Sequence, residues 1–380
     1  MDKPKSFPPK SNTFFKVLAV IGLVYLFLVS IGLMGTAFKG FGKDFAQNLI
    51  ETTSNPFVGL FIGILATSLV QSSSTTTSIT VGMVSSGVLT VGNAIPIIMG
   101  ANIGTTVTNT TVALAHIGRR EEFKRAIGGS TVHDFFNILC VCILFPLQIS
   151  TNFLHKAAVW MSGIFKGFGG LTFTSPLKAI TKPVVVLVEN FLTNLSFLPA
   201  KLIYFFMLVL AVLSLFFALI FIVKIMRSLI IAKAENVLNN VFGKSALVAI
   251  FAGFLFTSIV QSSSITVSLM VPLVAAGVLT VGTIFPITLG ANLGTTTTTI
   301  LASFATGNIA AITVAFVHFL FNLLGILIVY PIKAIRNIPI RMAQGLGNLA
   351  YRKRRFAIIY VISLFFIVPG ILIFISKLMK

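Results

Sequence analysis

Five long apolar stretches run along the chain, separated by more polar segments. Each has about 20 residues, the length that an α-helix needs to cross a hydrocarbon core about 30 Å thick. They lie at 16–37, 126–149, 201–223, 309–331 and 356–376. The first is too long for the apolar part of a signal peptide and no A-x-A-like site follows it, so it is expected to remain in the mature protein.

Two further regions, 56–118 and 245–306, are apolar but rich in Gly, Ser, Thr and Asn. Each opens with an apolar run of about 14 residues, which as a helix reaches about 21 Å and enters a membrane without crossing it. A polar cluster, a second short apolar run and a second polar cluster follow. This order predicts a re-entrant helical hairpin and then a broken transmembrane helix, both lining a protein-enclosed cavity, because irregular backbone is tolerated at that depth only there.

These two regions are copies of one another. A shift of 190 residues lays QSSSTTTS at 71–78 on QSSSITVS at 261–268, and GANIGTT on GANLGTT. Over positions 63–109, 28 of 47 residues are identical without a gap. A loop shorter by five residues then aligns VHDFFN at 132–137 with VHFLFN at 317–322. The chain therefore contains a two-fold internal repeat.

The distribution of Lys and Arg predicts the topology, because short positively charged loops stay in the cytoplasm. With a cytoplasmic N-terminus and hairpins that enter and leave on one side, 19 of the 28 Lys and Arg residues fall inside. These 19 lie at 1–16, 119–125, 224–244 and 333–355. Each repeat then has three crossings and one hairpin, and this odd number inverts the second repeat relative to the first. Inverted repeats with broken helices are typical of secondary transporters.

The predicted fold is therefore an all-α polytopic membrane protein with two inverted repeats, about seven crossings and two hairpins. The C-terminus falls outside. The first repeat is predicted at 1–149, with a helix at 16–37, a hairpin at 56–86, a broken helix at 87–118 and a helix at 126–149. An external connecting segment follows at 150–200. The second repeat is predicted at 201–331, with a helix at 201–223, a hairpin at 245–276, a broken helix at 277–306 and a helix at 309–331, and a basic cytoplasmic segment with the final helix follows at 332–380.

The composition excludes the soluble classes of protein. Hydrophobic residues make up 56% of the chain and charged residues 9%, whereas about 25% of a soluble domain is charged. A cytosolic enzyme, a nucleic-acid-binding module and a disordered scaffold are therefore excluded despite the net charge of +20. Cys140 and Cys142 lie too close together for an easy disulfide and are expected to be buried apolar residues.

The polar clusters contain Gln, Ser, Thr, Asn and Gly, and they lack Lys, Arg and His. Hydroxyl and amide groups can hold an anion through their donors and sodium through their oxygens. Ser72–Ser74 and Ser262–Ser264 are expected where the second half of each hairpin begins, so that free N–H groups and a positive helix end face a bound anion. Glycines bracket Asn102 and Asn292 and let the backbone expose carbonyl groups there. Close helix packing also favours small polar residues, but four clusters in register favour an oxyanion site with sodium.

Three ionisable residues lie in the helices after the clusters. Asp134 is the only carboxylate expected inside a full span, where a charge costs about 2.5–3.5 kcal/mol. It predicts a cation site or a proton carrier, unless water reaches it from the cytoplasmic loop. His133 and His318 are equivalent in the two repeats, and each is expected to bond a neighbouring carbonyl group rather than substrate.

The segments QSSSTTTS, AIPIIMGANIGTTVTNTTVAL and the second QSSS with GANLGTTTT resemble the type II sodium–phosphate cotransporter family. The resemblance covers both repeats and the final helix, RRFAIIYVISLFF, and a bacterial member is expected. It implies sodium-driven import of inorganic phosphate by alternating access in the plasma (inner) membrane. It also implies no cofactor besides sodium as the coupling ion, no nucleic-acid partner, and a protomer that is a complete transport unit.

The resemblance also assigns roles to residues. The candidate phosphate-binding residues, from the resemblance and the polar clusters together, are Ser72, Ser73, Ser74, Ser263, Ser264, Asn102, Asn292, Thr105 and Thr106. The candidate sodium-binding residues are Gln71, Gln261, Ser262, Thr295, Thr298 and Asp134. Asp134 matches an acidic residue that supports an additional sodium ion in electrogenic members, whereas members with glycine there are electroneutral. Electrogenic transport of about three sodium ions with one divalent phosphate is therefore expected, with about 2.3 kcal/mol gained per 100 mV.

Besides a passive channel, two alternatives stay open from the residues alone. The first is a sodium-coupled symporter of another oxyanion, such as sulfate or arsenate, or of a dicarboxylate, because hydroxyl donors accept these as well. The second is a membrane-embedded serine hydrolase. It is disfavoured because no G-x-S-x-G motif surrounds either cluster, and because the adjacent His133 and Asp134 point to different faces of a helix.

The chain also departs from the family pattern, because the external segment 150–200 lacks the cysteines of the disulfide-bearing loop in animal members.

Overall fold

The computed structural model describes residues 13–167, 175–194, 198–241 and 245–378. Helices joined by short turns form this part of the chain, and it contains no strand. Five helical segments are long and apolar enough to cross a membrane, or six if a bent pair that meets at 99° is one span. The expected all-helical polytopic membrane protein is thus confirmed, while the number of crossings stays a prediction. The basic residues expected inside at 1–12, and parts of the external segment at 168–174 and 195–197, lie outside the described residues.

The helices follow the order of the repeats. The first half contains α1 (Thr13–Gly40), α2 (Lys43–Thr52), α3 (Pro56–Val70), α4 (Ser73–Ser86), α5 (Val91–Gly104), α6 (Val107–Leu114) and α7 (Arg120–Thr151). Two helices connect the halves, α8 (Phe153–Gly167) and α9 (Pro176–Thr193). The second half contains α10 (Ala200–Val241), α11 (Ala246–Val260), α12 (Ser263–Ala275), α13 (Val281–Gly294), α14 (Thr296–Thr306) and α15 (Ile309–Val329). The C-terminal part contains α16 (Lys333–Arg352), α17 (Arg355–Ile362), a π-helical turn (Ser363–Ile367) and α18 (Val368–Leu378).

Some details differ from the sequence-based expectations. Most of the basic segment 119–125 is not a loop but the first turns of α7, where Glu121 and Glu122 favour a helix because they complement its positive end. The basic segment after 332 contains α16, whose buried residues recur at helical spacing on one face. Such an amphipathic helix escapes a search for apolar runs. Cys140 is buried as expected, but Cys142 is exposed.

Each hairpin turns at a glutamine in the left-handed conformation. α3 ends at Gln71, with φ 56°, and α11 ends at Gln261, with φ 61°, in a region that side chains other than glycine rarely adopt. The next residue caps the following helix. The hydroxyl groups of Ser72 and Ser262 accept hydrogen bonds from the backbone N–H three residues later, at 3.2 and 3.4 Å. α3 and α11 have 15 residues each, or about 22 Å, which is less than the length that a full crossing needs.

Glycines let each hairpin pack against the backbone of the broken helix that follows it. A Cβ atom on Gly100 would clash with the carbonyl oxygen of Leu60. The equivalent Cβ on Gly290 would clash with the carbonyl oxygen of Ile250. The backbones can approach this closely only where there is no side chain, and small residues hold membrane helices together in this way.

The two repeats exchange contacts in a reciprocal pattern. α4 of the first repeat packs on α14 of the second, and α12 of the second packs on α6 of the first. The hydroxyl groups of Thr77 and Thr299 lie 2.9 Å apart across the first contact, and the Ser268 hydroxyl donates to Asn109 Oδ1 at 3.2 Å across the second. Apolar clusters lie on either side, one built on α7, α13 and α15 and the other on α1, α4 and α10. This packing places the two hairpin tips next to each other.

Candidate functional site

The two hairpin tips line one cavity of about 320 Å³. Its polar lining comes from both tips and from the breaks of both broken helices. These polar residues are Gln71, Ser72, Ser73, Ser74, Thr75, Thr105, Gln261, Ser262, Ser263, Ser264 and Thr295. The apolar lining is Val70 together with Phe216, Leu219, Ile220 and Val223 from α10. Ten of the fifteen candidate residues thus lie on one cavity, and none of the residues that line it carries a charge.

The serine hydroxyl groups at the tips are weakly engaged by the protein. The Ser74 hydroxyl donates to the Gln261 carbonyl at 3.5 Å, and the Ser264 hydroxyl donates to the Thr105 carbonyl at 3.4 Å. Both distances exceed the usual range of about 2.5–3.0 Å for hydrogen bonds from hydroxyl donors to oxygen. Among the described residues the buried Ser263 hydroxyl has no hydrogen-bond partner. These hydroxyl groups can therefore turn toward a bound oxyanion at little cost.

The positive ends of α4 and α12 also lie at this cavity. The first N–H groups of a helix have no acceptor within the helix, and the macrodipole adds about half a positive charge at that end. Ser73 and Ser263 are the first residues of these two helices. Two helix N-termini and their serine side chains thus supply donors for an anion without any cationic side chain.

Oxygen atoms suited to a cation gather at the second tip. Thr298 Oγ1 donates to Gln261 Oε1 at 2.5 Å. Gln261 Nε2 donates to the Ser258 carbonyl and, at 3.3 Å, to Thr297 Oγ1. Thr298 lies just outside the cavity lining but touches it through Gln261. Hydroxyl, amide and backbone carbonyl oxygens next to a broken helix are ligands that coordinate sodium in transporters.

The two candidate asparagines are buried and do not line the cavity. Asn292 Nδ2 donates to Asn137 Oδ1 at 2.8 Å and to Asn322 Oδ1 at 2.6 Å. Its Oδ1 lies 3.0 Å from His133 Nε2. Asn102 Nδ2 donates to a carbonyl one turn earlier in α5, and the Asn102 carbonyl accepts from Asn137 Nδ2 at 2.7 Å. In this structure these side chains join α5, α7, α13 and α15 to one another.

The remaining candidate threonine and the two histidines have protein partners. The Thr106 hydroxyl donates to the Ile103 carbonyl at 2.8 Å and does not line the cavity. His133 contacts a carbonyl oxygen, as expected, although it belongs to the Asn292 side chain. His318 does not bond a carbonyl group, because Nδ1 faces the Thr299 hydroxyl at 2.9 Å, where α14 packs against α15.

Asp134 lies apart from the cavity, fully buried in α7. Its Oδ2 accepts a hydrogen bond from the Tyr360 hydroxyl at 3.0 Å, the Thr106 side chain also interacts with this carboxylate, and Oδ1 accepts no hydrogen bond of normal geometry from the described residues. Tyr360 belongs to α17, directly before the π-helical turn, and π-helical turns often mark functional sites. A buried carboxylate with one unsatisfied oxygen is suited to a cation. No sequence pattern indicated Tyr360, because the contact spans 226 positions.

Other residues at the site were also missed. The α10 side chains on the cavity wall belong to a uniformly apolar helix, which gives no sign of a binding surface. Asn137 and Asn322 did have a signal, because they occupy the same position in VHDFFN and VHFLFN. Equivalent polar residues in buried helices are expected to share a network, and both contact Asn292.

A sequence model described as Na+/Pi-cotransporter matches residues 26–174 and 213–348, which include both hairpins. The chain belongs to the Na+/Pi-cotransporter family. The chain is 36% identical to the sodium-dependent phosphate transport protein 2B of Homo sapiens, over 93% of this chain and 64% of that protein. It is 35% identical to the sodium-dependent phosphate transport protein 2A of Rattus norvegicus, over 95% of this chain and 68% of that protein.

The chain therefore spans less than two thirds of the length of the 2B relatives. No solved structure matches it. Membership of the Na+/Pi-cotransporter family confirms the resemblance expected from the QSSS motifs.

Proposed function

We propose that this protein is a sodium-coupled secondary active transporter that imports inorganic phosphate by alternating access. The observation that supports this proposal is the convergence of two helix N-termini and the serines of both QSSS motifs on one cavity without charged side chains. Phosphate is a tetrahedral oxyanion that accepts hydrogen bonds on all sides, and the tips offer donors from opposite halves of the chain. Since no cationic side chain lines the cavity, sodium ions supply the balancing charge, which makes phosphate binding depend on sodium.

Two regions of the chain serve as sodium sites in this proposal. The first is the oxygen cluster around Gln261 and Thr298, with Ser262 and Thr295 beside it on the cavity. The second is Asp134, whose Oδ1 accepts no hydrogen bond of normal geometry from the described residues and supports an additional ion in this proposal. With about three sodium ions and one divalent phosphate, one positive charge enters per cycle, and each 100 mV of membrane potential contributes about 2.3 kcal/mol.

The proposal includes the inverted arrangement of the two repeats. The reciprocal packing of α4 on α14 and of α12 on α6 supports a two-fold relation between them. The N-terminus and the start of α7 then lie in the cytoplasm of a plasma-membrane protein whose protomer is a complete transport unit. Opening and closing around the hairpin tips would expose the cavity to each side in turn.

Hydrolysis is not favoured by the arrangement of the site. A serine nucleophile needs a base held against it. Neither His133 nor Asp134 lines the cavity, and each contacts a residue other than the tip serines.

The test is uptake of radiolabelled phosphate into proteoliposomes with sodium or choline outside. Accumulation above equilibrium only with sodium is the expected result, and an imposed inside-negative potential should increase the rate. Excess unlabelled sulfate should leave the rate unchanged. Sodium-dependent accumulation of sulfate without phosphate would contradict the substrate, and uptake that never exceeds equilibrium would contradict the coupling.

A further inference from the structure

A second polar cavity, of about 470 Å³, lies where α7, α13 and α16 meet, away from the hairpin tips. Lys124 and Arg125 of α7 line it together with Thr280, at the start of α13, and Gln344 and Asn348 of α16. No acidic residue lines it. The cavity therefore combines two cations with amide and hydroxyl donors, which is the chemistry that recognises an oxyanion.

The acidic residue nearest in sequence does not neutralise these cations. Glu122 forms ion pairs with Arg119 at 2.8 Å and with His116 at 3.3 Å. Within the described part of the chain, Arg125 takes part in no ion pair, and Lys124 Nζ lies 5.5 Å from the centre of the Tyr351 ring. The guanidinium group of Arg125 thus keeps its donors available. An arginine fork can bind two oxygens of one phosphate group at once.

The Arg125 guanidinium group lies against the backbone of the second repeat. Its Nη1 would lie 2.7 Å from a Cβ atom on Gly277, a residue with φ 80°. Three residues later, the Thr280 hydroxyl caps α13 by accepting from the Thr283 N–H at 3.1 Å. The start of α13 therefore forms one wall of the cavity and adds its positive end to the two cationic side chains.

The equivalent end of the first repeat has the same backbone but different neighbours. Thr90 caps α5 in the same way, at 3.1 Å, within the identical segment GVLTVG. There Asn93 Nδ2 donates to the Ile50 carbonyl at 2.9 Å and to Thr53 Oγ1 at 3.1 Å, which ties this end to α2. A Cβ atom on Gly87 would meet nothing within 4 Å, whereas a Cβ atom on Gly277 would meet the Arg125 guanidinium group. The repeated GVLTVG segment therefore does not account for the two cations, which α7 contributes at the start of α13.

We propose that the cavity between α7, α13 and α16 binds a phosphate group, either as free inorganic phosphate or as a lipid headgroup. Arg125 and Lys124 provide the charge, and Gln344 and Asn348 provide neutral donors. The site goes beyond the proposed transport, and only its location on the cytoplasmic side of the membrane rests on that proposal. Since α7 carries Asp134 and α13 carries Asn292, a ligand here ties together the helices that hold the buried polar network.

The test uses the purified full-length protein in phosphatidylcholine nanodiscs and in choline buffer without sodium. Equilibrium binding of radiolabelled inorganic phosphate is compared between the unmodified protein and the double variant Lys124→Gln/Arg125→Gln. The matched control is Arg341→Gln/Lys353→Gln, which removes two positive charges outside the cavity lining. We expect binding at least about tenfold weaker in the double variant, since charge-assisted hydrogen bonds are lost. The control variant and the unmodified protein should bind phosphate with equal affinity. Added choline chloride should weaken this binding, because salt screens the interaction between charges.

A second arm distinguishes the source of the phosphate group. It omits inorganic phosphate and replaces part of the phosphatidylcholine with phosphatidylglycerol. If a headgroup occupies the site, the anionic lipid raises the Tm of the unmodified protein and the control, but not that of the double variant. If the double variant does not fold, Asn348→Asp, which puts a negative charge in the cavity, replaces it with the same expectation.

Equal behaviour of the cavity variant and the unmodified protein in both arms would overturn the proposal. Neither arm requires sodium-driven uptake, so failure of this site and failure of the transport proposal give different results.

Discussion

The two hairpins share their backbone devices almost completely. Both turn at a left-handed glutamine, Gln71 or Gln261, and both start the next helix with a capping serine. Both approach the following helix through a glycine at the same position, Gly100 or Gly290. Nearly everything that fixes the path of the chain has thus been kept in both copies.

The two hairpins differ in the neighbouring side chains whose oxygen atoms could bind a cation. The Gln261 amide is held by Thr298, at 2.5 Å, whereas only the backbone carbonyl of Gln71 accepts a hydrogen bond, from Thr108 at 3.5 Å. The first repeat has the buried Asp134 where the second has Phe319. In the proposed transport function, the symmetric part of the molecule therefore forms the anion cavity, and the asymmetric part provides distinct places for sodium.

The largest expected effect comes from the glycines that both repeats share. Gly100→Ala and Gly290→Ala should each destabilise the protein by about 3 kcal/mol or more, at the upper end of overpacking, because the added Cβ meets a backbone carbonyl that cannot move away easily. Thermal unfolding in detergent measures the loss. Gly345→Ala in α16 is the control, since a Cβ there meets nothing within 4 Å. A loss of stability in only one of the two variants would mean that the two hairpins do not pack alike.

The next largest effect concerns the tip serines. Ser73→Ala and Ser263→Ala should each reduce phosphate uptake at least tenfold, since a lost hydrogen bond to a charged group costs about 1.5–3 kcal/mol. The buried Ser263 hydroxyl has no partner among the described residues, so its removal breaks no hydrogen bond of the fold and a loss of uptake reports on the substrate. Ser303→Ala, which changes a buried serine of α14 outside the cavity lining, is the control. Near-normal uptake in both tip variants would exclude this cavity as the phosphate-binding site.

Much of this symmetric part could be predicted from the sequence, because duplication makes a functional segment visible twice. The QSSS segments, the short apolar runs before them and the glycines after them all pointed to tips that meet inside the protein. The amphipathic α16 escaped because hydropathy finds apolar runs and not apolar faces. The α10 wall of the cavity escaped because a residue such as Leu219 looks the same whether it faces lipid, protein or substrate.

The asymmetric part was harder to predict. Asp134 stood out as a lone carboxylate, but its partner Tyr360 comes from a helix outside both repeats. Asn102 and Asn292 were expected beside phosphate because they lie between glycines in the polar clusters that carry the family resemblance. The structure uses those glycines for close packing and the asparagines for bonds between helices. Local sequence shows where backbone is unusual, but only the tertiary contacts show what that backbone touches.

Removing the asymmetric carboxylate should change the current more than the uptake. Asp134→Gly should retain sodium-dependent uptake but lose the current carried with each phosphate, because one sodium ion fewer makes the cycle electroneutral. Current and uptake are recorded on the same proteoliposomes. Phe319→Leu, at the equivalent position of the second repeat, should keep both. A current of unchanged size in Asp134→Gly would exclude Asp134 as a cation site.

The smallest effect separates backbone strain from side-chain bonding at the two turns. Gln71→Gly should raise the Tm slightly, because glycine relieves about 1 kcal/mol of left-handed strain and few contacts are lost. Gln261→Gly relieves the same strain but loses hydrogen bonds to Ser258, Thr297 and Thr298, worth about 1 kcal/mol each, so its Tm should fall. The pair measures the asymmetry directly, since each variant is the control for the other. Equal shifts of the same sign would mean that the Gln261 amide contributes no more to the fold than its counterpart, and the oxygen cluster at the second tip would then lack a rigid support for sodium.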